Sequence, residues 1–363
     1  MFVKFEGGYS SSGSSLPVER CMPVVDEHTG SLVSVVIVNY NGAGVLDECL
    51  ISLRSQHYHP IEIIVVDNGS TDDSVEMVRS KYPEVRLDAR PENLGFAGGC
   101  NRGLEIAQGE FIALLNNDTV VKENWLGPLV TLARRPGVGV VCSKVITEGV
   151  PAEFYEMNGT VNYLGYNIMR VFQDLSQVFY ASGASLLVRR DRIDHLFPDE
   201  YFIYHEDVYL SWKMRLLGLS IVMAQDSVVH HRGSATTKRQ TSAAVTFYQE
   251  RNRILNCLLF YELRTLFLLL PYVLADAMAR LFVGAKSNRK SLAGVIRAYW
   301  WLFRNTGWIR AQRSQLQRLR QVPDSSIMRL MSSDVLDSDA GFARLANRLS
   351  KVYADSVGLA HHG

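Results

Sequence analysis

The fold is decided by residues 33–70, which read VSVVIVNYNGAGVLDECLISLRSQHYHPIEIIVVDNGS. This segment holds two runs of β-branched and aliphatic residues, at 33–38 and 61–66, without the polar alternation of a solvent-facing strand. Between them, apolar residues recur at helical spacing, which predicts an amphipathic helix over Val45–Ser55. Strand, helix and strand in this order predict the beginning of a parallel α/β sheet.

The same alternation continues downstream. A second helix is predicted to begin near Thr71, because residues 69–72 supply a turn and N-cap residues, and a third strand is predicted at 111–115. Two strand-like runs and one helix follow, at 138–142, 184–188 and 208–217. Residues 33–120 therefore predict a doubly wound α/β unit, and the chain becomes mostly helical after about residue 243.

The composition is that of a globular protein. Of 363 residues, 47% are hydrophobic and 21% are charged, which excludes a disordered, collagen-like or disulfide-scaffold chain. The formal net charge is +1, and the five cysteines are widely spaced without a CxxC pair, so we expect reduced core thiols and a cytoplasmic protein. Residues 1–30 contain a Gly/Ser-rich run and no apolar signal sequence, and we expect a flexible leader there.

The C-terminal region, residues 251–363, is predicted to be helical, basic and aromatic. Its longest uncharged apolar run, 265–275, is shorter than the ~20 residues of a membrane span, so we expect an interfacial or buried amphipathic segment. From Lys286 to Arg320 there are nine Lys or Arg, no Asp or Glu, and three of the five tryptophans. We expect this stretch to attach to a membrane surface; the alternative is a solvated basic face packed on the rest of the protein, and nucleic-acid binding is disfavoured.

Polar clusters follow three of the predicted strands, at residues 39–42, 67–70 and 116–118. Ligands of open α/β sheets bind beyond the carboxyl ends of the strands, so we expect the three clusters to converge on one edge. Asp67 alone could also brace a turn or cap the following helix. Asn116-Asn117-Asp118 is either an Asn/Asp-rich turn or a ligand set for a hard cation such as Mg²⁺ or Mn²⁺.

A second acidic cluster, His205-Glu206-Asp207, precedes the predicted helix over 208–217. Its carboxylates either favour the helix dipole or include a general base shielded by neighbouring aromatic residues. His230-His231 follows a short apolar strand and is either structural or part of a ligand set. The Gly-rich run at 95–99 leads into a helix with Asn101 in its first turn and lacks the P-loop and dinucleotide-binding patterns, which disfavours an ATPase or a dehydrogenase.

Together these motifs resemble the family 2 glycosyltransferases, inverting enzymes with the GT-A fold, and most closely their rhamnosyltransferase-like bacterial members. The resemblance covers about residues 33–260 and rests on six segments in order: SVVIVNYNG (34–42), EIIVVDNGSTDDS (62–74), ENLGFAGGCNRGLEIAQGEFIALLNND (92–118), SGASLLVRRD (182–191), YFIYHEDVYLSWKMRLLG (201–218) and HHRGSAT (230–236). It implies a GT-A type doubly wound mixed sheet over residues 31–250, followed by a helical C-terminal extension.

The resemblance also implies roles for individual residues. Tyr40 would stack on the nucleobase and Asp67 would hydrogen-bond it. Asp118, at the end of an NxD version of the family's DxD motif, and His231 would hold Mg²⁺ or Mn²⁺. Asp207 would be the catalytic base, supported by Glu206. The remaining residues implied for the nucleotide-sugar pocket are Asn41, Asn68, Asn93, Gly95, Asn101, Asn116 and Asn117, with Gly183 and Ala184 under the sugar and acceptor.

The implied reaction moves a sugar from a dTDP- or UDP-sugar, dTDP-rhamnose among them, to a glycan or lipid-linked glycan in cell-surface polysaccharide synthesis. It would take place at the inner face of the cell membrane. Two alternatives remain open: a synthase that transfers the sugar to a polyprenyl phosphate, and a non-catalytic sugar-nucleotide or glycan binder within an assembly.

Overall fold

The computed structural model describes residues 30–147, 159–168, 178–233, 243–287, 289–334 and 341–359. Its strands are β1 (Val33–Asn39), β2 (Ile61–Asn68), β3 (Arg86–Arg90), β4 (Phe111–Asn116), β5 (Thr119–Val121), β6 (Val138–Thr147), β7 (Thr160–Val161), β8 (Asn167–Ile168), β9 (Ser185–Arg189) and β10 (Ser220–His231). Its helices are α1 (Ala43–Arg54), α2 (Ser74–Lys81), α3 (Gly95–Ile106), α4 (Leu126–Ala133), α5 (Glu206–Leu216), α6 (Ala243–Phe260), α7 (Leu263–Ser287), α8 (Arg289–Arg304), α9 (Thr306–Arg318), α10 (Asp324–Met328) and α11 (Gly341–Ser356).

Eight of these strands form one mixed sheet in the order β3-β2-β1-β4-β9-β6-β10-β5. Strands β1 to β4 are parallel, whereas β9 runs antiparallel to both β4 and β6. Strand β10 is parallel to β6, and β5 pairs antiparallel with β10 at the far edge. This sheet confirms the predicted α/β class, the mixed character and the buried strands at 33–38, 61–66 and 111–115.

The sequence missed the more polar strands. Edge strand β3 reads RLDAR and is partly exposed, so it lacks an apolar pattern. For β10 the sequence predicted only a short apolar strand before His230, because a register shift between Ala224 and Val228 interrupts the strand and leaves Gln225 and Asp226 exposed. Helix α2 begins at Ser74 rather than near Thr71, because the Asp72 carboxylate accepts hydrogen bonds from Ala43 N and Ser74 N and keeps the preceding residues in a turn.

The sheet is covered on both faces, and its two faces belong to different hydrophobic clusters. Helices α1, α2 and α4 pack on one face, through side chains such as Leu50, Val78 and Leu129. On the other face, Phe260 of α6 and Leu302 of α8 are buried in the same cluster as Leu114 of the central sheet. The C-terminal helices therefore share the core of the sheet, and the expected domain boundary at residue 250 falls inside the continuous helix α6.

The structure also bears on the predictions for the cysteines, the apolar C-terminal segment and the leader. Cys49, Cys100, Cys142 and Cys257 are free and buried. Helix α7 continues through Pro271, although proline removes one hydrogen bond from a helix interior. No helix in the described ranges has both the length and the hydropathy needed to cross a membrane. The expected leader lies outside the described residues except for Gly30, as do the last residues of the 230–236 motif.

Candidate active site

A cavity of 530 Å³ opens beyond the carboxyl ends of β1, β2 and β4, where the three polar clusters meet. Except for Asn41, Asp67 and Asn101, all the residues expected in the site line it: Tyr40, Asn68, Asn93, Gly95, Asn116, Asn117, Asp118, Gly183, Ala184, Glu206, Asp207 and His231. A larger cavity of 1210 Å³ lies between the loop at 57–60 and α4, and none of the expected site residues lines it. The smaller cavity is therefore the candidate active site.

Asp118 and His231 meet because β5 pairs antiparallel with β10. Asp118 lies directly before β5, its carbonyl accepts a hydrogen bond from Arg232 N at 3.0 Å, and its Oδ1 lies 3.1 Å from His231 Nε2. Asn116 Nδ2 lies 3.4 Å from the same His231 nitrogen. His230, one residue earlier, is exposed and does not line the cavity. Strand pairing thus brings an acidic, a basic and an amide side chain from distant sequence positions to one wall of the cavity.

The carboxylate and the imidazole on this wall are suitable ligands for a divalent cation that also binds phosphate. Within the described ranges no three His, Cys, Asp or Glu side chains form a metal-binding group, so the protein offers one carboxylate and one imidazole. Mg²⁺ sites that bind substrate phosphates commonly use one or two carboxylates and leave the remaining positions to water and phosphate oxygens. Asp118 and His231 fit such an incomplete protein site.

The loop after β1 presents an aromatic ring to the cavity, above a hydrogen-bonded edge formed by the loops after β1 and β2. Tyr40 follows β1 and is 48% exposed, so its face is free to stack on a planar ligand. Asp67 is buried below this edge and accepts hydrogen bonds from Asn39 Nδ2 at 2.8 Å, Ser70 N at 2.9 Å and Ser70 Oγ at 2.7 Å. Asn41 Oδ1 accepts a hydrogen bond from Thr71 N at 2.7 Å and joins the loops after β1 and β2. Asp67 and Asn41 therefore brace the edge without lining the cavity.

Asn68, Asn93 and Gly95 form the cavity wall between β2 and α3. Asn93 Oδ1 accepts a hydrogen bond from Gly95 N, and Asn68 Nδ2 donates to Gly95 O, both at 2.8 Å. Gly95 has a φ of +73°, and a Cβ atom there would lie 2.5 Å from the carbonyl oxygen of Phe202. In the described part of the chain, the buried Asn68 Oδ1 has no hydrogen-bond partner.

The expectation for Asn101 differs from its position in the structure. Helix α3 begins at Gly95, so the Gly-rich run forms its first turns and Asn101 lies in the second turn. The Asn101 side chain donates to Phe197 O at 2.8 Å and to Asp199 Oδ1 at 3.0 Å, and it accepts from Phe197 N at 3.2 Å. It faces the 195–199 segment rather than the cavity, because helical periodicity turns its side chain toward that segment.

The acidic pair Glu206-Asp207 begins α5 and lines the cavity. Asp207 Oδ1 accepts a hydrogen bond from Val208 N at 2.7 Å, and its Oδ2 accepts one from Gly183 N at 3.2 Å. Burial raises the pKa of Asp207, although these two bonds oppose the shift. Burial, and then the negative charge of Asp207, raise the pKa of Glu206. The pair lies in the first turn of α5, as the helix-dipole interpretation requires. It also lines a cavity and both carboxyl groups have raised pKa values, a combination that is typical of functional sites.

The turn before this pair is strained. Phe202, Tyr204 and His205 have φ angles of 59°, 70° and 63°, a region that costs non-glycine residues about 1–3 kcal/mol each. Burial lowers the pKa of His205 to about 3, which keeps its imidazole neutral near pH 7. A turn with three such residues persists only when its surroundings hold it.

Sequence reasoning missed the contribution of α6 to the site. Ala244, Val245 and Tyr248 line the cavity, and the ring of Tyr248 stacks on that of Phe202 with 5.1 Å between their centroids. These residues carry no motif of their own. The sequence signal that could have been used is the polar series Glu250 to Arg253 between apolar parts of the helix. In the structure these four polar residues are 4% exposed or less, which is unusual for their residue types.

Comparison with known proteins identifies part of the chain. Residues 34–197 match the family model described as glycosyl transferase family 2. This chain carries a family 2 glycosyltransferase domain. The domain contributes the Tyr40, Asp118 and Gly183 parts of the cavity, whereas Asp207, His231 and α6 lie beyond the matched residues.

Relatives of the family 2 domain come from distant organisms. Glycosyltransferase AglE of Haloferax volcanii is 29% identical over 208 residues, which are 55% of this chain and 66% of that protein. Glycosyltransferase GlyG of Streptococcus pneumoniae is 36% identical over 113 residues, 30% of this chain and 38% of that protein. The matched parts thus span less than two thirds of either relative. The N-acetylglucosaminyl-diphospho-decaprenol L-rhamnosyltransferase of Mycobacterium tuberculosis is 28% identical over 249 residues, 58% of this chain and 80% of that protein.

Solved structures extend the likeness beyond the family 2 domain. The crystal structure of GalNAc-T7 with UDP, GalNAc and Mn²⁺ aligns with a TM-score of 0.54 at 15% identity, over 79% of this chain and 59% of that one. At this identity the likeness concerns the fold. The mixed sheet and the helices on both its faces are those of the GT-A fold, as expected from the sequence.

Proposed function

We propose that this protein is an inverting glycosyltransferase that moves a sugar from a nucleoside diphosphate donor to a hydroxyl group of an acceptor. One observation carries the proposal: a single cavity holds the Asp118–His231 pair, the exposed ring of Tyr40 and the buried carboxylates of Glu206 and Asp207. The first pair suits a diphosphate with its cation, the ring suits a nucleobase, and a carboxylate suits proton removal. A binding protein without catalytic activity has no need for the Asp118–His231 pair, the aromatic ring and the carboxylate together.

Asp207 is the general base in this proposal. Its raised pKa makes the carboxylate a stronger proton acceptor, and the two backbone N–H groups from Gly183 and Val208 fix its direction. Asp207 takes the proton of the acceptor hydroxyl while that oxygen forms a bond to the anomeric carbon. The bond from this carbon to the diphosphate oxygen breaks on the opposite side, so the anomeric configuration inverts and the nucleoside diphosphate leaves with the electron pair.

Asp118 and His231 would hold Mg²⁺ or Mn²⁺ at the diphosphate. A cation bound there stabilises the negative charge that develops on the leaving phosphate oxygens. The protein's own contribution is to present one carboxylate and one imidazole 3.1 Å apart on a rigid strand pair, with Asn116 beside them. The Asn117 side chain is fixed by a hydrogen bond in which its Nδ2 donates to Asn39 Oδ1 at 2.8 Å.

For the donor we propose a dTDP- or UDP-sugar, with dTDP-rhamnose first among the candidates. Support comes from the mycobacterial relative, whose name states that it is a rhamnosyltransferase acting on a decaprenol-linked sugar. Tyr40 would stack on the base. Asn39 and Ser70 both donate to the Asp67 carboxylate, so its primary role in the proposal is to brace the edge on which the base lies.

A donor panel tests the proposal. The full chain is incubated with dTDP-rhamnose, UDP-glucose, UDP-galactose, UDP-GlcNAc or GDP-mannose and Mn²⁺ or Mg²⁺, and release of nucleoside diphosphate is measured with and without membrane lipid extract as acceptor source. We expect metal-dependent release from one donor and its loss in Asp118→Ala. Nucleotide binding without release under any condition would favour the binding-protein alternative. A product formed on polyprenyl phosphate alone would favour the synthase alternative.

We further propose that the acceptor is lipid-linked and that the protein attaches to an anionic membrane surface through α8. Ile296, Trp300 and Phe303 recur at helical spacing on its exposed side, and 54%, 58% and 71% of their surfaces are exposed. Arg297 and Arg304 are exposed beside them, and no acidic residue occurs between Asp276 and Asp324. Apolar and basic side chains on one exposed stripe match the headgroup zone of anionic lipids, each cation contributing ~1 kcal/mol near the surface.

Vesicle flotation tests this attachment. The full chain should float with vesicles that contain phosphatidylglycerol and remain below with phosphatidylcholine vesicles. The double variant Trp300→Ser, Phe303→Ser should lose flotation while circular dichroism stays unchanged. A matched control is Leu349→Ser, which alters an exposed leucine on α11. Equal flotation of the double variant and the control would show that the α8 stripe is not the attachment surface.

A further inference from the structure

The strained turn before the acidic pair is held from α6. Five carbonyl oxygens in the turn and the two residues before it accept hydrogen bonds from side chains of α6, namely those of Glu200, Tyr201, Ile203, Tyr204 and His205. The sixth, of Phe202, accepts a hydrogen bond from Ala97 N of α3 at 3.1 Å. A buried carbonyl oxygen needs a hydrogen-bond partner, and here side chains of α6 and a backbone N–H of α3 supply it.

Asn252 is the central partner. Its side chain is fully buried, and its Nδ2 donates to Tyr201 O at 2.9 Å, Ile203 O at 2.9 Å and Tyr204 O at 2.7 Å. Its Oδ1 accepts from Arg251 Nε at 2.9 Å and from Arg251 Nη2 at 2.8 Å. Because the guanidinium offers only donors, it fixes the orientation of the amide and directs both N–H bonds toward the turn.

The neighbours of Asn252 complete the arrangement. Asn256, one helical turn later, donates to His205 O at 3.1 Å and accepts from the Tyr201 hydroxyl at 2.5 Å. The guanidinium of Arg251 lies 4.8 Å from the centroids of both Phe247 and Trp301. The turn is thus tied to α6, and α6 is tied through Arg251 to α8.

We propose that Asn252 is a positioning residue, which sets the left-handed turn at 202–205 and thereby aims Asp207 and Glu206 into the cavity. The inference rests on the proposed function, because it takes Asp207 as the base. Only one residue separates the last bonded carbonyl, that of His205, from Asp207, so a shift of the turn is passed directly to the carboxylate. A displacement of 1 Å at a reacting group is enough to cost about 10²-fold in rate.

The test compares the loss of the three hydrogen bonds from Asn252 to the turn with the loss of two side-chain hydrogen bonds at the end of α6. Asn252→Ala removes the bonds to the turn, and Gln317→Ala is the matched control, since Gln317 Nε2 donates to Leu259 O at 2.8 Å and Phe260 O at 2.9 Å at the end of the same helix. Asn252→Asp keeps an acceptor for Arg251 and lacks the donors. For both Asn252 variants we expect kcat to fall about 10²-fold with an unchanged Kd for UDP or dTDP in Mn²⁺, while Gln317→Ala keeps the wild-type kcat per folded molecule.

Hydrogen exchange followed by mass spectrometry separates this inference from the proposed function. In Asn252→Ala, amides of residues 202–208 should exchange at least about tenfold faster than in wild type, with the central strands unchanged, and Gln317→Ala should leave residues 202–208 as they are. Unchanged exchange at 202–208, or equal losses of kcat in Asn252→Ala and Gln317→Ala, would overturn the inference. If wild type transfers no sugar, or Asp207→Asn remains active, the proposed function fails, and hydrogen exchange still decides whether Asn252 holds the turn.

Discussion

Gly95 joins the first turn of α3 to the strained turn at Phe202, and replacing it by alanine should destabilise the protein strongly. The φ of +73° costs an alanine about 1–2 kcal/mol. Its Cβ would also lie 2.5 Å from the Phe202 carbonyl oxygen and 2.5 Å from the Phe202 ring. That carbonyl cannot move away without losing its bond to Ala97 N, so overpacking adds about 1–3 kcal/mol. The expected loss is about 2–5 kcal/mol of the 5–15 kcal/mol that typically stabilises a domain.

Urea unfolding followed by circular dichroism measures this loss, and the chain offers a matched control. Gly307 lies in the first turn of α9, and a Cβ added there meets no atom within 4 Å. Gly307→Ala should therefore stabilise the protein by about 0.5–1 kcal/mol, because alanine loses less backbone entropy than glycine in a helix. The same substitution thus has opposite signs at two positions. If the two variants differ by less than about 0.5 kcal/mol, the close contact between α3 and the turn is not part of the folded protein.

Three further predictions concern the acidic residues of the site. Asp207→Asn should lower kcat about 10²–10⁴-fold while the Kd for nucleoside diphosphate stays unchanged. Steady-state kinetics measures kcat and calorimetry measures Kd, and an unchanged kcat with a raised Kd would contradict the role of Asp207 as base. Because burial raises the pKa of Asp207 above its ordinary value of 3.8, kcat/KM should fall as pH falls through this raised pKa, and a profile flat down to pH 4 would contradict the assignment. Glu206→Gln should leave the melting temperature unchanged near pH 4 and raise it increasingly at higher pH. The raised pKa of Glu206 means that its ionised form costs stability above the unfolded-state value of 4.5, and a difference independent of pH would refute this.

The sequence predicts the buried central strands better than the strands near the edges of the sheet. Strands β1, β2 and β4 are buried on both faces, so their apolar runs were visible without a structure. Strands β3 and β5 are short or exposed at an edge and carry no such run. For β10, which a register shift interrupts, the sequence predicted only a short apolar strand before His230. The C-terminal helices were predicted as a separate region, yet they complete the hydrophobic core on one face of the sheet.

The candidate site shows the same division. Asn116-Asn117-Asp118 could be singled out because it directly follows a predicted buried strand, and Glu206-Asp207 because it precedes a predicted helix beside several aromatic residues. Sequence could not distinguish Asp67 as a ligand-binding residue from Asp67 as a brace, and it placed Asn101 in the pocket, because neither residue type nor spacing records the direction of a side chain. In the structure the hydrogen bonds of both residues point to neighbouring loops.

By itself, the sequence determined the α/β class, the central parallel strands and the chemical types of the groups at the strand ends, because these depend on local periodicity and residue identity. Only the tertiary structure decided that Asp118 lies 3.1 Å from His231 and that α6 holds the turn before Asp207. The first contact depends on an antiparallel pairing between segments more than 100 residues apart, and the second on a helix that buries its polar side chains against a strained loop. Such long-range contacts follow from how the whole chain packs, and no short stretch of sequence encodes them.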